Sequence, residues 1–237
     1  MNIVDSIKTS IFTPIHPAGF PFIALFFILT IIIGWFWAPL YFIGITLTIW
    51  CIYFFRNPTR ITPVLSGSNV NNLIISPADG KVIEISEINP NEEIGLPEGK
   101  WKRVCIFMNV FDVHVNRSPM LGQITYKKYI PGSFFNASLD KASDENERLI
   151  LNMDTENGNK IAFVQIAGLV ARRIICDVDI GNSLKAGEIF GLIRFGSRVD
   201  IYFPSNVSVM ILKGQKTIAG ETIIGDFSKS SKSVREK

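Results

Sequence analysis

The residues that could do chemistry in this chain are few, and they lie in four short stretches. In NVFDVHVN, residues 109–116, Phe111, Val113 and Val115 alternate with Asp112, His114 and Asn116. On a strand that spacing puts the three polar groups on one face. One reading is a half-buried strand with a solvated polar side. The other is catalytic, because His114 is the only histidine outside the N-terminal region, the second being His16. Imidazole is the side chain that serves as a base near neutral pH. Asp79, in SPADG at residues 76–80, stands where a turn should precede a strand. It either caps its own turn or is a carboxylate that orients an imidazole.

The third stretch is GLIRFGSRVDIYFP, residues 191–204. Its apolar alternation is that of a strand, yet Gly196-Ser197 interrupts it, and glycine weakens a strand interior. A serine that follows glycine in a strained backbone can attack the preceding carbonyl, an N-to-O acyl shift that yields an ester. On local sequence alone a turn serine is the plainer reading. A fourth candidate is Lys141 in LDKAS, residues 139–143, which is reminiscent of the lipoyl attachment site of carrier domains. Such a lysine belongs at a tight hairpin tip, whereas this one falls in a long polar loop, 136–148.

Most of the elements that must position these groups are β-strands. The chain has 237 residues, 47% of them hydrophobic, with a mean hydropathy of +0.27. The excess is concentrated: from Pro17 to Phe55 there is no Asp, Glu, Lys, Arg or His in 39 residues. That is too long for a secretory signal. As one helix it would extend ~58 Å, nearly two hydrocarbon thicknesses of ~30 Å. Gly34 and Pro39 flank an aromatic cluster, GWFWAPL, which marks a turn near the headgroups. The run therefore predicts a hydrophobic helical hairpin with arms near 19–36 and 40–55. Each arm is slightly short for a full crossing, so a hairpin lodged in one leaflet competes with a spanning one. Lys8 before it, and Arg56 and Arg60 after it, favour the cytoplasmic side. A buried hairpin of a soluble core is the remaining alternative, but a core helix usually keeps a polar face.

After residue 55, short Val/Ile-rich runs recur between Gly, Pro, Asn and Asp. Examples are NLIISPADGKVIEI, RVCIFMNVFDVHVN, GQITYKKYIPG, KIAFVQIAG, RRIICDVDIG and EIFGLIRFGSRVDIYFP. This is the pattern of a β-rich domain. The expected organisation is an N-terminal segment 1–17, a membrane-associated hairpin 18–55, a β-rich α+β catalytic domain 56–227, and a disordered basic tail 228–237. A net charge of +3, with no aromatics interleaved among Lys and Arg, argues against a nucleic-acid partner. Three scattered cysteines without a CxxC, and two histidines, argue against a metal site and against a disulfide scaffold.

Taken in order, FFRNPTR, SPADG, NVFDVHVNRSP, PGSFFNASLDKASDENER, GLVARRI and GEIFGLIRFGSRVDIYFP are more specific than any one of them. From about residue 14 to about 225 the chain resembles the phosphatidylserine decarboxylases of the short bacterial type. The resemblance implies a proenzyme that cuts itself between Gly196 and Ser197 into a β chain, 1–196, and an α chain, 197–237, which stay together as a heterodimer that could assemble further. It implies that Ser197 becomes a covalent pyruvoyl group, that Asp79 and His114 activate the serine, and that phosphatidylserine is decarboxylated to phosphatidylethanolamine. Decarboxylating an amino acid needs an electron sink, which a ketone provides by forming a Schiff base with the substrate amine. The implied location is the cytoplasmic face of the cell membrane, peripheral or monotopic. Arg117, Arg194 and Arg198 are candidates for the lipid phosphate, from charge and sequence proximity. Arg117 also stands where some longer relatives carry a second histidine, which leaves His114 as the one base. The alternative is a membrane-anchored β-rich binding or lipoyl-like carrier module without self-processing.

Overall fold

The computed structural model describes residues 13–63, 72–133, 137, 145–168, 173–194 and 196–230. Lys141 and most of the polar loop around it, Lys8, and residues 231–237 of the expected tail lie outside the described residues. The chain divides into two compact units, Met1–Thr59 and Arg60–Lys237.

The first unit is the expected pair of helices, α1 (Phe20–Phe36) and α2 (Pro39–Phe54). Proline opens each helix in the first turn, where its missing N–H costs nothing. The helices pack antiparallel through small and hydroxyl residues. A Cβ on Gly44 would lie 2.4 Å from Thr30 Oγ1, and one on Gly34 would lie 2.5 Å from the Tyr41 ring. Thr30 bonds the Phe26 carbonyl at 2.7 Å and meets Thr48 Oγ1 at 3.4 Å. The outward faces are apolar: Phe27, Ile28, Ile31, Trp35, Phe36, Phe42 and Ile49 are all exposed. Small and polar groups inside with apolar groups outside invert the order of a water-soluble hairpin and suit a lipid surround. The helix Pro17–Phe36 is long and apolar enough to cross a membrane, and α2 is shorter. At the base, His16 N–H bonds the Phe55 carbonyl at 2.8 Å and Asn57 N–H bonds the Pro14 carbonyl at 2.6 Å.

The second unit is β-rich, as the alternation predicts. An eight-stranded antiparallel sheet runs in the order β13 (Lys216–Thr217), β2 (Gly80–Ile88), β3 (Trp101–Met108), β11 (Ser197–Pro204), β7 (Lys160–Ala167), β6 (Arg148–Thr155), β5 (Gly122–Ile130), β9 (Ser183–Leu184). Two three-stranded sheets accompany it: β4 (Val115–Arg117), β10 (Ile189–Ile193) and β8 (Ile174–Cys176) form one. The other contains β1 (Leu73–Ile75), β14 (Ile223–Ser230) and β12 (Val207–Val209). β14 thus continues three residues past the expected start of the tail at 228.

Both faces of the central strands are buried. Val104, Ile106, Met108, Phe163, Val199, Ile201 and Phe203 join the main core, while Trp101, Ala162, Val164, Ile166 and Tyr202 pack on the reverse side. The placement of Ser197 follows from this: it opens β11, in the middle of the sheet, paired with Met108 on one side and Ala167 on the other.

Candidate active site

The interruption at Gly196-Ser197 is a change of sheet. β10 pairs with β4 and β8, whereas β11 pairs with β3 and β7, so the chain leaves one sheet at Ile193 and enters another at Ser197. Gly196 adopts φ +66°, in the left-handed region that glycine alone enters freely. A Cβ there would meet nothing within 4 Å. Glycine is therefore required for its backbone angles and not for space. Ser197 is fully buried, and its Oγ has no hydrogen-bond partner among the described residues. A buried hydroxyl without a partner costs about 1–3 kcal/mol.

His114 comes to this bond from the turn between β3 and β4. The stretch 109–116 does not form one alternating strand. Asn109 N–H bonds Asp112 Oδ2 at 2.9 Å and Phe111 N–H bonds Asn109 Oδ1 at 2.8 Å. Those side chains fold residues 109–112 into a turn, because Asn and Asp compete for backbone donors that a strand ladder would use. Only Val115–Arg117 is extended. His114 and Asn116 are consequently buried rather than displayed on a wet face, and Phe111 is the exposed residue. The turn presents the Asp112 carbonyl to His114 Nδ1 at 3.0 Å, and Gly196 N–H points at His114 Nε2 at 3.3 Å. One tautomer satisfies both contacts: Nδ1 carries the proton and donates to the Asp112 carbonyl, and Nε2 accepts from Gly196 N–H.

Asp79 lies between β1 and β2, and its carboxylate is engaged elsewhere. Oδ2 accepts from Arg60 Nη2 at 2.7 Å and Oδ1 accepts from Ala219 N–H at 2.8 Å. The Asp112 carbonyl is the partner of the imidazole Nδ1. Burial pushes the Asp79 carboxyl above its usual range, against the pull of Arg60 and the Ala219 N–H, and nearby Asp112 adds to the rise. Arg60, noted in the sequence only as a positive charge after the hairpin, is the side chain that holds Asp79. Its place within FFRNPTR was the available signal.

The three arginines part company. Arg117 is half-buried, donates to the Gly187 carbonyl at 3.0 Å, and stands near Arg60, Asp79 and Glu221, with burial and Arg60 lowering its proton affinity. Arg194, at the end of β10, is next to Arg173; burial and that neighbour act on it in the same direction. Arg198 is a correction to the phosphate set. Successive strand residues face opposite ways, so it points away from Ser197 into the reverse side of the sheet. There it is wholly buried, with Nε 2.7 Å from Asp200 Oδ1 and Nη2 2.8 Å from Asp200 Oδ2. That bidentate pair leaves no fork for a lipid phosphate.

The site thus brings the His114 imidazole against the Gly196 N–H, one residue before the buried and unpartnered Ser197 hydroxyl. Compared with known families, residues 47–225 match the one described as phosphatidylserine decarboxylase. The matched span includes α2 from residue 47 onward and every residue of the site from Arg60 to Ala219, and on that match the chain belongs to the phosphatidylserine decarboxylase family of decarboxylating enzymes.

Proposed function

We propose that the chain is made as a proenzyme, cuts itself at Gly196-Ser197, and then decarboxylates phosphatidylserine to phosphatidylethanolamine and CO₂ with a pyruvoyl group derived from Ser197. The observation that supports this most is the meeting of His114 Nε2 with Gly196 N–H, 3.3 Å apart, next to the buried and unpartnered Ser197 Oγ. In the first step His114 Nε2 gives up the Gly196 N–H and accepts the Ser197 hydroxyl proton as Oγ attacks the Gly196 carbonyl carbon. The Gly196–Ser197 C–N bond then breaks, the proton passes to the departing amine, and an ester links the two segments. Loss of the Ser197 α-proton and of the Gly196 carboxylate cleaves the ester. Water then releases ammonia and leaves the ketone at the head of the α chain, 197–237, with the β chain ending at residue 196.

The pyruvoyl carbonyl supplies the electron sink that amino-acid decarboxylation needs. The chain's own residues do the rest. In this reading His114, freed from its first task, returns a proton to the substrate carbon, and Arg117 and Arg194 are the cations offered to the lipid phosphate. Asp79, buried against Arg60, is a carboxylate in reserve for the imidazolium that forms at His114. The hairpin anchors the chain as a monotopic protein on the cytoplasmic face of the membrane, where its substrate resides. Pro17–Phe36 is long enough to cross, but α2, with 16 residues, extends about 24 Å, short of the ~30 Å hydrocarbon core, so the return arm does not complete a second crossing. The two chains form a heterodimer joined through β11, which is flanked on both sides by β-chain strands.

The test is conversion of phosphatidylserine in mixed vesicles by the purified protein. Wild type should release phosphatidylethanolamine and CO₂. Ser197→Ala should do neither and stay uncut. Arg117→Ala should process normally and show a raised KM. Conversion by uncut Ser197→Ala would overturn the proposal.

A further inference from the structure

A second glycine has no role in the chemistry so far, yet it touches the bond to be cut. Gly168 follows β7, whose last residue, Ala167, is the ladder partner of Ser197. A Cβ at position 168 would lie 2.0 Å from the Gly196 carbonyl oxygen and 3.0 Å from its carbon. Real side chains do not come that near, and the obstacle is backbone, so no rotamer change relieves it. Gly168 itself is not in the left-handed region. Its glycine is thus required by space, the converse of Gly196, where the requirement is the backbone angle.

The space belongs to one atom. The Gly196 carbonyl oxygen sits where a methyl group on residue 168 would be, and this carbonyl is the electrophile in the proposed acyl shift. Any Cβ must push it away, rotating the 196–197 peptide relative to Ser197 Oγ and His114 Nε2. As the carbonyl becomes tetrahedral its oxygen leaves the peptide plane, and the side toward Gly168 must stay open for that movement. The site is buried around it: Ala167, His114 and Ser197 are all inaccessible.

We propose that Gly168 is a positioning residue for self-cleavage, clearing the volume in which the Gly196 carbonyl is held for attack. The proposal rests on the self-cleavage reading above. It changes no step of that chemistry; it fixes where the electrophile stands.

The experiment follows cleavage of freshly synthesised full-length Gly168→Ala beside wild type and Gly122→Ala. Gly122 is a control on β5 that also faces backbone, since a Cβ there would lie 2.5 Å from the Asp154 carbonyl oxygen. A displacement on the scale of 1 Å costs roughly 10²-fold in rate. Gly168→Ala should therefore cut about 10²-fold more slowly, while Gly122→Ala cuts at the wild-type rate. Hydroxylamine, which cleaves only the ester, should accelerate wild type and leave folded Gly168→Ala uncut. Folding is checked by thermal denaturation in the non-cleaving Ser197→Ala background. Wild-type cleavage by Gly168→Ala, equal slowing of both glycine variants, or unfolding of Gly168→Ala alone in that background would each overturn the proposal. If wild type itself stays uncut, the self-cleavage reading falls and Gly168 falls with it; the preceding outcomes remove Gly168 only.

Discussion

His114 joins the turn before β4 to the segment that crosses between sheets: Nδ1 is 3.0 Å from the Asp112 carbonyl and Nε2 is 3.3 Å from the Gly196 nitrogen. The first contact fixes the tautomer and the second aims the lone pair. A glutamine at 114 can donate to one partner and accept from the other, but it is no base. His114→Gln should fold with near-normal thermal stability and cut itself about 10²–10⁴-fold more slowly, the range a positioned base contributes. Electrophoresis after synthesis in vitro gives the rate. Cleavage at the wild-type rate would remove His114 from the mechanism.

The Arg198–Asp200 pair, fully buried on the reverse face of β11, predicts an effect on stability rather than on lipid binding. Removing one partner of a buried pair leaves a charge with no compensation and costs about 3–5 kcal/mol. Arg198→Met should lose about that much in denaturant titration. The double variant Arg198→Met/Asp200→Leu should recover most of it, because two apolar side chains leave no lone charge. Equal losses in the single and double variants would contradict this account of the pair.

Asp79 carries a pH dependence. Its carboxyl is held above the usual carboxylate range by burial, which outweighs Arg60 and the Ala219 N–H. The folded state therefore keeps its proton to higher pH than the unfolded chain, and stability falls as pH rises from the unfolded value, about 3.9, through the folded one. Asp79→Asn cannot titrate. In the Ser197→Ala background, wild-type Asp79 should lose stability relative to Asp79→Asn over that interval in pH-dependent denaturant titrations. A gain with rising pH would mean that the Arg60 ion pair dominates burial.

The hairpin turn holds Trp35 and Trp37, 83% and 63% exposed. In vesicles carrying brominated acyl chains, a variant retaining only Trp35 should be strongly quenched and protected from iodide in the aqueous phase. Iodide quenching equal to that in the denatured protein would contradict insertion of the hairpin.

What the sequence revealed was mostly local. The charge-free run gives the hairpin, alternation gives most strands, and the Gly-Ser break marks the crossing between β10 and β11. β6 is absent from the strand runs singled out in the sequence because its Leu149-Ile150-Leu151 core is continuous, and a strand buried on both faces shows no period of two. Asn109 and Asp112 convert an apparent strand into a turn by bonds that alternation does not encode. The grip of Arg60 on Asp79 and the approach of Gly168 to Gly196 join distant segments, so no spacing rule finds them. The Arg198–Asp200 pair was within reach: two opposite charges two apart on one strand share a face.

The central claim is that Ser197 ends as a pyruvoyl group, and the mass of the smaller chain tests it most directly. Purified protein should resolve into two chains divided at 196–197, with the 197–237 chain lighter by one ammonia than its serine-headed sequence and closed to Edman degradation. A single intact chain, or a 197–237 fragment that begins with an ordinary serine amine, would contradict it.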